Sequence, residues 1–193
     1  DSLTHIDVDQ LSGIAASSEA IAYRYALKAL NPFALLGNND LYNPHNQNGE
    51  LSLYDASTDI GLTEKWIEVR SKFLEGAIRY NTADGAVPET SFGGRFEDQQ
   101  LGIKFGALNP TLPYYVFGKD GGADTIRGFA GNDFLFGGKG GDTIVTGDGN
   151  NYAEGGDGIS IITGGDGADV IYGRFGNDVL SGGISFTSRA ISA

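Results

Sequence analysis

Hydropathy divides the chain into two stretches with different periods. In the first 115 residues, apolar side chains recur at helical steps. Trp66, Val69, Phe73, Ala77 and Tyr80 stand three or four residues apart and so share one face of a helix over 63–80. Thr63 is placed to cap it, Glu64 falls in the first turn, and Leu62 and Ile67 have the spacing of a hydrophobic staple. An earlier helix is predicted from a cap at Ser17 or Ser18 to Leu30. It puts Ile21, Tyr25 and Ala29 on one face and stops at Asn31-Pro32. "RFEDQQLGIKFG" and "YYVFG" read as strands leading into the second stretch.

Beyond residue 116 the apolar period becomes nine. Counted from Lys119, the eighth position of successive nonapeptides holds Ile126, Leu135, Ile144, Ala153, Ile162, Ile171 and Leu180. Positions 7 to 9 are rich in Ile, Val, Thr, Tyr and Phe, which suit a short strand. Alternation turns position 8 to one face. The fourth position is glycine throughout: Gly122, Gly131, Gly140, Gly149, Gly158, Gly167 and Gly176. Further glycines stand at position 2, among them Gly138, Gly156 and Gly165. Such residues permit positive φ and leave carbonyls free to face a ligand. Each unit is therefore a six-residue turn and a three-residue strand. Two units make one coil of a flattened right-handed solenoid with position 8 from both sides as its core.

Composition sharpens the boundary. Of 31 glycines, 21 lie between Gly118 and Gly183. With 25 acidic and 13 basic residues the net charge is −12, a sign that disfavours nucleic acid and anionic membranes and suits cations. No cysteine is present, which removes disulfides and thiolate metal sites. No apolar run is long enough to span a bilayer. The missing Met at position 1 predicts a start inside a longer chain or after processing.

Position 6 carries the candidate chemistry: Asp124, Asp133, Asp142, Asn151, Ser160, Asp169 and Asp178. One short strand per nine residues buries too little to offset about 1–2 kcal/mol of backbone entropy per residue. Stacked carboxylates worsen the balance. A cation is the missing contribution, and hard oxygen donors in a flexible cage select Ca²⁺.

GG-x-G-x-D-x-(aliphatic)-x resembles the RTX, or hemolysin-type, calcium-binding nonapeptide. The resemblance implies an α+β chain whose parallel β-roll holds Ca²⁺ between units i and i+2 on the same edge. Carried over, the metal residues are Asp124, Asp133, Asp142, Asn151, Asp169 and Asp178 with Gly138, Gly156 and Gly165 at position 2 and the seven position-4 glycines. Asp124 and Asp142 form the one pair with two carboxylates. The pairs Asp133–Asn151, Asp142–Ser160, Asn151–Asp169 and Ser160–Asp178 each lack one. About three to five ions are expected, with Asp148, Asp157 and Asp166 at position 3 either assisting them or, the favoured reading, exposed to solvent. The resemblance further implies export through type I secretion machinery and folding in calcium-rich medium outside the cell.

The expected organisation is a helix-containing linker and cap over 1–115, the roll over 116–183 and a tail over 184–193. The upstream part resembles the segment before RTX blocks in large exported proteins, some of them lipase-like. It would close an end through which the roll could otherwise self-associate. A type I signal extends several tens of residues past the repeats, whereas "ISFTSRAISA" follows Gly183.

Asn46, Asn48, Gly49, Leu51 and Asp55 approach EF-hand offsets, so that loop is either another calcium loop or a set of Asx turns. No G-x-S-x-G, H-E-x-x-H or Walker pattern occurs, and His5 and His45 sit in polar surroundings. No enzyme is expected within this chain. The expected function is a calcium-binding module of a larger exported enzyme, toxin or adhesin. The alternative is a structural extracellular protein forming a calcium-dependent surface layer or filament.

Overall fold

The computed structural model describes residues 2–5, 11–17, 20–36, 39–82, 87–183 and 189–191. They form two compact units, Asp1–Val87 and Pro88–Ala193.

In the first unit, strands β1 (Ser2–His5) and β2 (Phe33–Leu36) pair antiparallel. Helices α1 (Leu11–Ala15), α2 (Ile21–Ala29) and α3 (Glu64–Thr82) accompany them. Helix α3 begins as its sequence predicts, with Thr63 Oγ1 accepting the Trp66 N–H at 3.0 Å. Val69, Phe73 and Ala77 are buried as expected, joined by Ile67 and Leu74, while Tyr80 is exposed. Helix α2 differs from its expectation. Its N-cap is Ala20 without a side-chain bond, and Ser18 lies outside the described residues. The buried face is Ala22, Arg24, Ala26 and Leu27 rather than Ile21, Tyr25 and Ala29.

The reason is Arg24. Its guanidinium donates to the Leu51 carbonyl and to those of Ala15 at 2.9 Å and Ser17 at 2.6 Å. A buried cation so hydrogen-bonded satisfies loop carbonyls that the apolar pattern ignores. Arg70 of α3 similarly donates to Leu27 and Lys28 carbonyls at 2.9 and 3.0 Å, closing the last turn of α2. The loop after Asn43 forms Asx bonds. Asn46 Oδ1 accepts the Leu51 N–H at 2.7 Å, and Asp55 Oδ1 accepts from Ser57 N–H and Oγ–H.

The second unit is a solenoid. Its strands are β3 (Arg95–Asp98), β4 (Ile103–Phe105), β5 (Tyr114–Phe117), β6 (Thr125–Arg127), β7 (Phe134–Phe136) and β8 (Thr143–Val145). They continue as β9 (Tyr152–Glu154), β10 (Ile161–Thr163), β11 (Val170–Tyr172), β12 (Val179–Ser181) and β13 (Arg189–Ile191). One sheet runs β6-β8-β10-β12, the other β4-β3-β5-β7-β9-β11-β13. Among the described strands of this unit every pairing is parallel except β3 with β4. The strands expected at "RFEDQQLGIKFG" and "YYVFG" are β3, β4 and β5. They carry the sheet upstream of the glycine-rich block.

Register exposes a detail hidden in the spacing. Thr143 pairs with Ile161 and Phe134 with Tyr152, steps of eighteen, but Phe117 pairs with Phe136. The turn of the first unit holds one extra residue, so that unit starts at Gly118 rather than Lys119. "NPTLPYYVF", ending at Phe117, then occupies a nonapeptide frame without any glycine.

Position 8 fills the interior as predicted. Ile126, Leu135, Ile144, Ala153, Ile162 and Ile171 are buried beside Val116, and Leu180 packs at the far end. Burial does not stop there. On the seven-stranded sheet Tyr115, Phe117 and Phe136 are also buried. Phe96, Tyr115 and Phe134 stack with centroids 4.4 and 5.2 Å apart, and Phe117 lies 4.8 Å from Phe136. In-register parallel strands place like side chains above one another, so ring stacks follow from the repeat.

Urea unfolding in calcium should show Ile144→Ala lowering the stability of the solenoid by about 2–5 kcal/mol, because the neighbouring coils cannot collapse into the void. In the helical unit, Thr63→Ala should cost about 1 kcal/mol through the lost cap.

Candidate metal centre

Position 6 is pinned from both sides. Its carbonyl accepts the N–H that starts the next coil's strand, as from Thr143 to Asp124, Ile161 to Asp142 and Val170 to Asn151. Its side chain reaches the other way. Oδ1 of Asp142 accepts the Asp124 N–H at 2.8 Å, Asn151 Oδ1 that of Asp133 at 2.8 Å, and Asp169 Oδ1 that of Asn151 at 3.0 Å. Asp178 Oδ1 accepts from Ser160 N–H at 2.8 Å, and Ser160 Oγ from Asp142 N–H at 3.3 Å. Position 6 is thus a continuous hydrogen-bonded column along each edge. Asp133 extends it upstream, accepting the Tyr114 N–H at 2.8 Å.

The second oxygen of each carboxylate lies over the first glycine of its own turn. A Cβ at Gly128, Gly137, Gly164 or Gly173 would strike Oδ2 of Asp133, Asp142, Asp169 or Asp178. This explains position 1, which conformational freedom does not. In three units Oδ2 also accepts a backbone N–H, from Lys119 to Asp124, Phe129 to Asp133 and Gly165 to Asp169. Asp142 Oδ2 is buried and has no hydrogen-bond partner among the described residues.

Carbonyl oxygens form a second column. At position 4, those of Gly122, Gly140 and Gly158 lie against Gly140, Gly158 and Gly176, and those of Gly131 and Gly149 against Gly149 and Gly167. At position 2, those of Gly138 and Gly147 lie against Gly156 and Gly165. Any Cβ there would fill the space between turns. Gly131 and Gly165 lack positive φ, so close approach alone demands glycine at those two. Among the described residues no three His, Cys, Asp or Glu side chains converge on one point. The oxygen set that could hold a metal is therefore mixed: one or two position-6 side chains with turn carbonyls. That set is hard, anionic and open to several coordination numbers, which fits calcium.

Electrostatics agree. Burial pushes the Asp133 carboxyl above its usual range, against the N–H bonds from Phe129 and Tyr114. Burial also raises Asp142, opposed by the Asp124 N–H and reinforced by the Asp124 charge. Asp148, Asp157 and Asp166 point to solvent. At the upstream end Lys119 Nζ stands 3.6 Å from Asp124 Oδ1. Sequence reasoning missed this ammonium, and only its place five residues before Asp124 in the same turn could have suggested it. Above it, Tyr114 O–H donates to Glu97 Oε2 at 2.6 Å, and Lys104 Nζ lies 3.1 Å from Oε1. Burial disfavours the Glu97 charge, but Tyr114, Lys104 and Gln99 outweigh it and hold the carboxyl below its usual range.

Parallel coils with carboxylate and carbonyl columns along each edge define a cation-binding β-solenoid. The family model for the RTX calcium-binding nonapeptide repeat matches residues 120–144 and 145–180, about a third of the chain. The repeat block matches that calcium-binding family. No curated protein and no solved structure matches the chain.

Two outcomes test this geometry. Gly140 has φ +129° and faces the Gly122 carbonyl, whereas nothing lies near a Cβ at Gly121. Gly140→Ala should lose at least about 1–3 kcal/mol of roll stability by urea unfolding in calcium, and Gly121→Ala almost none. The second is pH dependence without metal. Raised folded-state carboxyl pKa values contribute stability below the unfolded value, and that stability is lost as pH rises through the folded one. In chelator, circular dichroism should therefore show more β structure near pH 4, about the unfolded Asp value, than at pH 7. Asp142→Asn should diminish the difference.

Proposed function

We propose that the chain is an extracellular calcium-dependent folding module, exported by a type I route as part of a larger enzyme, toxin or adhesin. Calcium lies between same-edge turns two units apart. The Asp124–Asp142 pair with the adjoining position-2 and position-4 carbonyls is the strongest site, and Asp142–Ser160 and Ser160–Asp178 come next with one carboxylate each. The observation that carries this reading is Asp142 Oδ2, a buried carboxylate oxygen without a hydrogen-bond partner among the described residues. Such an oxygen is costly unless a cation meets it.

The residues divide the work simply. Glycine admits the carbonyls, position 6 supplies charge, and position 8 closes the dry interior. Bound calcium cancels repulsion between stacked carboxylates. In calcium-poor surroundings an unfolded chain is suited to passage through an exporter, and calcium outside then drives compaction. Among the described residues no helix is long and apolar enough to cross a membrane.

Circular dichroism during calcium titration tests the reading. At neutral pH the β signal should grow with a midpoint of roughly 10⁻⁴–10⁻³ M and vanish in chelator. Asp142→Ala, which removes a ligand from two pairs, should shift the midpoint upward more than Ser160→Ala. Equal shifts would contradict the pairing. Light scattering of the same samples should stay at the monomer value; growth with calcium would favour an assembling surface protein.

A further inference from the structure

One edge of the roll already contains a substitute for the metal. Units 2, 4 and 6 form that edge and present Asp133, Asn151 and Asp169. Asn151 Oδ1 accepts the Asp133 N–H at 2.8 Å, as the carboxylates do elsewhere. This bond fixes the amide orientation, because only an oxygen can accept there. Nδ2 consequently takes the place that a second carboxylate oxygen has in other units.

Four oxygens meet that nitrogen. The carbonyls of Gly147, Asp148 and Gly149 lie 3.0, 3.3 and 3.3 Å away, and Asp169 Oδ1 lies 2.9 Å away. They are the carbonyls of turn positions 2 to 4 and the carboxylate of the unit two further on, the donor types a cation would use. The carboxamide offers two N–H groups shared among them. An aspartate at 151 would instead point a negative oxygen at the same cluster.

A neighbouring ladder repeats the theme. Asn132 Oδ1 accepts the Asn150 N–H at 2.9 Å, and Asn150 Oδ1 accepts the Ala168 N–H at 2.8 Å. The middle of this edge is thus joined by neutral amide bonds. The opposite edge has no equivalent at Asp142, whose Oδ2 lacks a hydrogen-bond partner among the described residues.

We propose that the Asn151 carboxamide replaces calcium in both pairs it joins, Asp133–Asn151 and Asn151–Asp169, so that the roll takes up calcium only on the edge of units 1, 3, 5 and 7. The inference rests on the calcium reading above and narrows it. One edge assembles through hydrogen bonds, the other through metal. A chain with a single metal-dependent edge has fewer ions to collect before its coils close.

The test counts ions on the full chain by equilibrium dialysis with calcium. Asn151→Asp converts both pairs to two carboxylates and should bind two more ions than wild type; an unchanged count overturns the proposal. Should that variant not fold, ¹⁵N NMR of calcium-saturated wild type decides. The Asn151 side-chain amide protons should remain protected from solvent exchange, and free exchange overturns the proposal. Asp142→Ala measured alongside separates the two readings. If it loses ions while Asn151→Asp gains none, calcium binding stands and the Asn151 substitution for metal falls. If wild type binds no calcium, both fall.

Discussion

Oxygen crowding at the edges of the stacked coils governs this solenoid. Parallel strands eighteen residues apart put like positions above one another, so turn carbonyls meet turn carbonyls and Asp124 meets Asp142, while the other position-6 carboxylates meet Asn151 or Ser160. Glycine makes this approach sterically feasible, as where the Gly122 carbonyl faces Gly140, but it does nothing for the charge. Each edge therefore needs something positive between its turns. A metal ion, the Lys119 ammonium at the upstream end and the Asn151 carboxamide are three chemical answers to the same demand.

The interior alone could not hold the coils. It is one side chain deep per strand, and at Ala153 one methyl group deep. Aromatic contacts on the outer face of the seven-stranded sheet add to the packing where the interior thins, as where the tilted rings of Phe136 and Tyr152 meet. At the upstream end, β3 and β4 turn the sheet antiparallel, and the Tyr114–Glu97–Lys104 cluster closes the apolar column with satisfied polar groups.

Much of the roll was legible because repetition makes one residue's environment every ninth residue's environment. Position 8 predicted the core, and positions 4 and 6 predicted the columns. What escaped was whatever breaks the repeat. The extra residue after Gly118 is invisible until strand register is known, and "NPTLPYYVF" joins the coil through backbone bonds without a single signature glycine. Asn151 reads as a weakened ligand, since spacing does not reveal which way an amide points. In the helical unit, apolar spacing found α3 but misplaced the buried face of α2. Arg24 is there to satisfy loop carbonyls, and no hydropathy period anticipates a buried guanidinium.

Amide hydrogen exchange of the solenoid, with calcium and in chelator at neutral pH, tests the central claim most directly. The strands Thr143–Val145 and Ile161–Thr163 should exchange slowly with calcium and at nearly unfolded rates without it. Equal protection in both conditions would show that the coils hold without metal and would contradict the account.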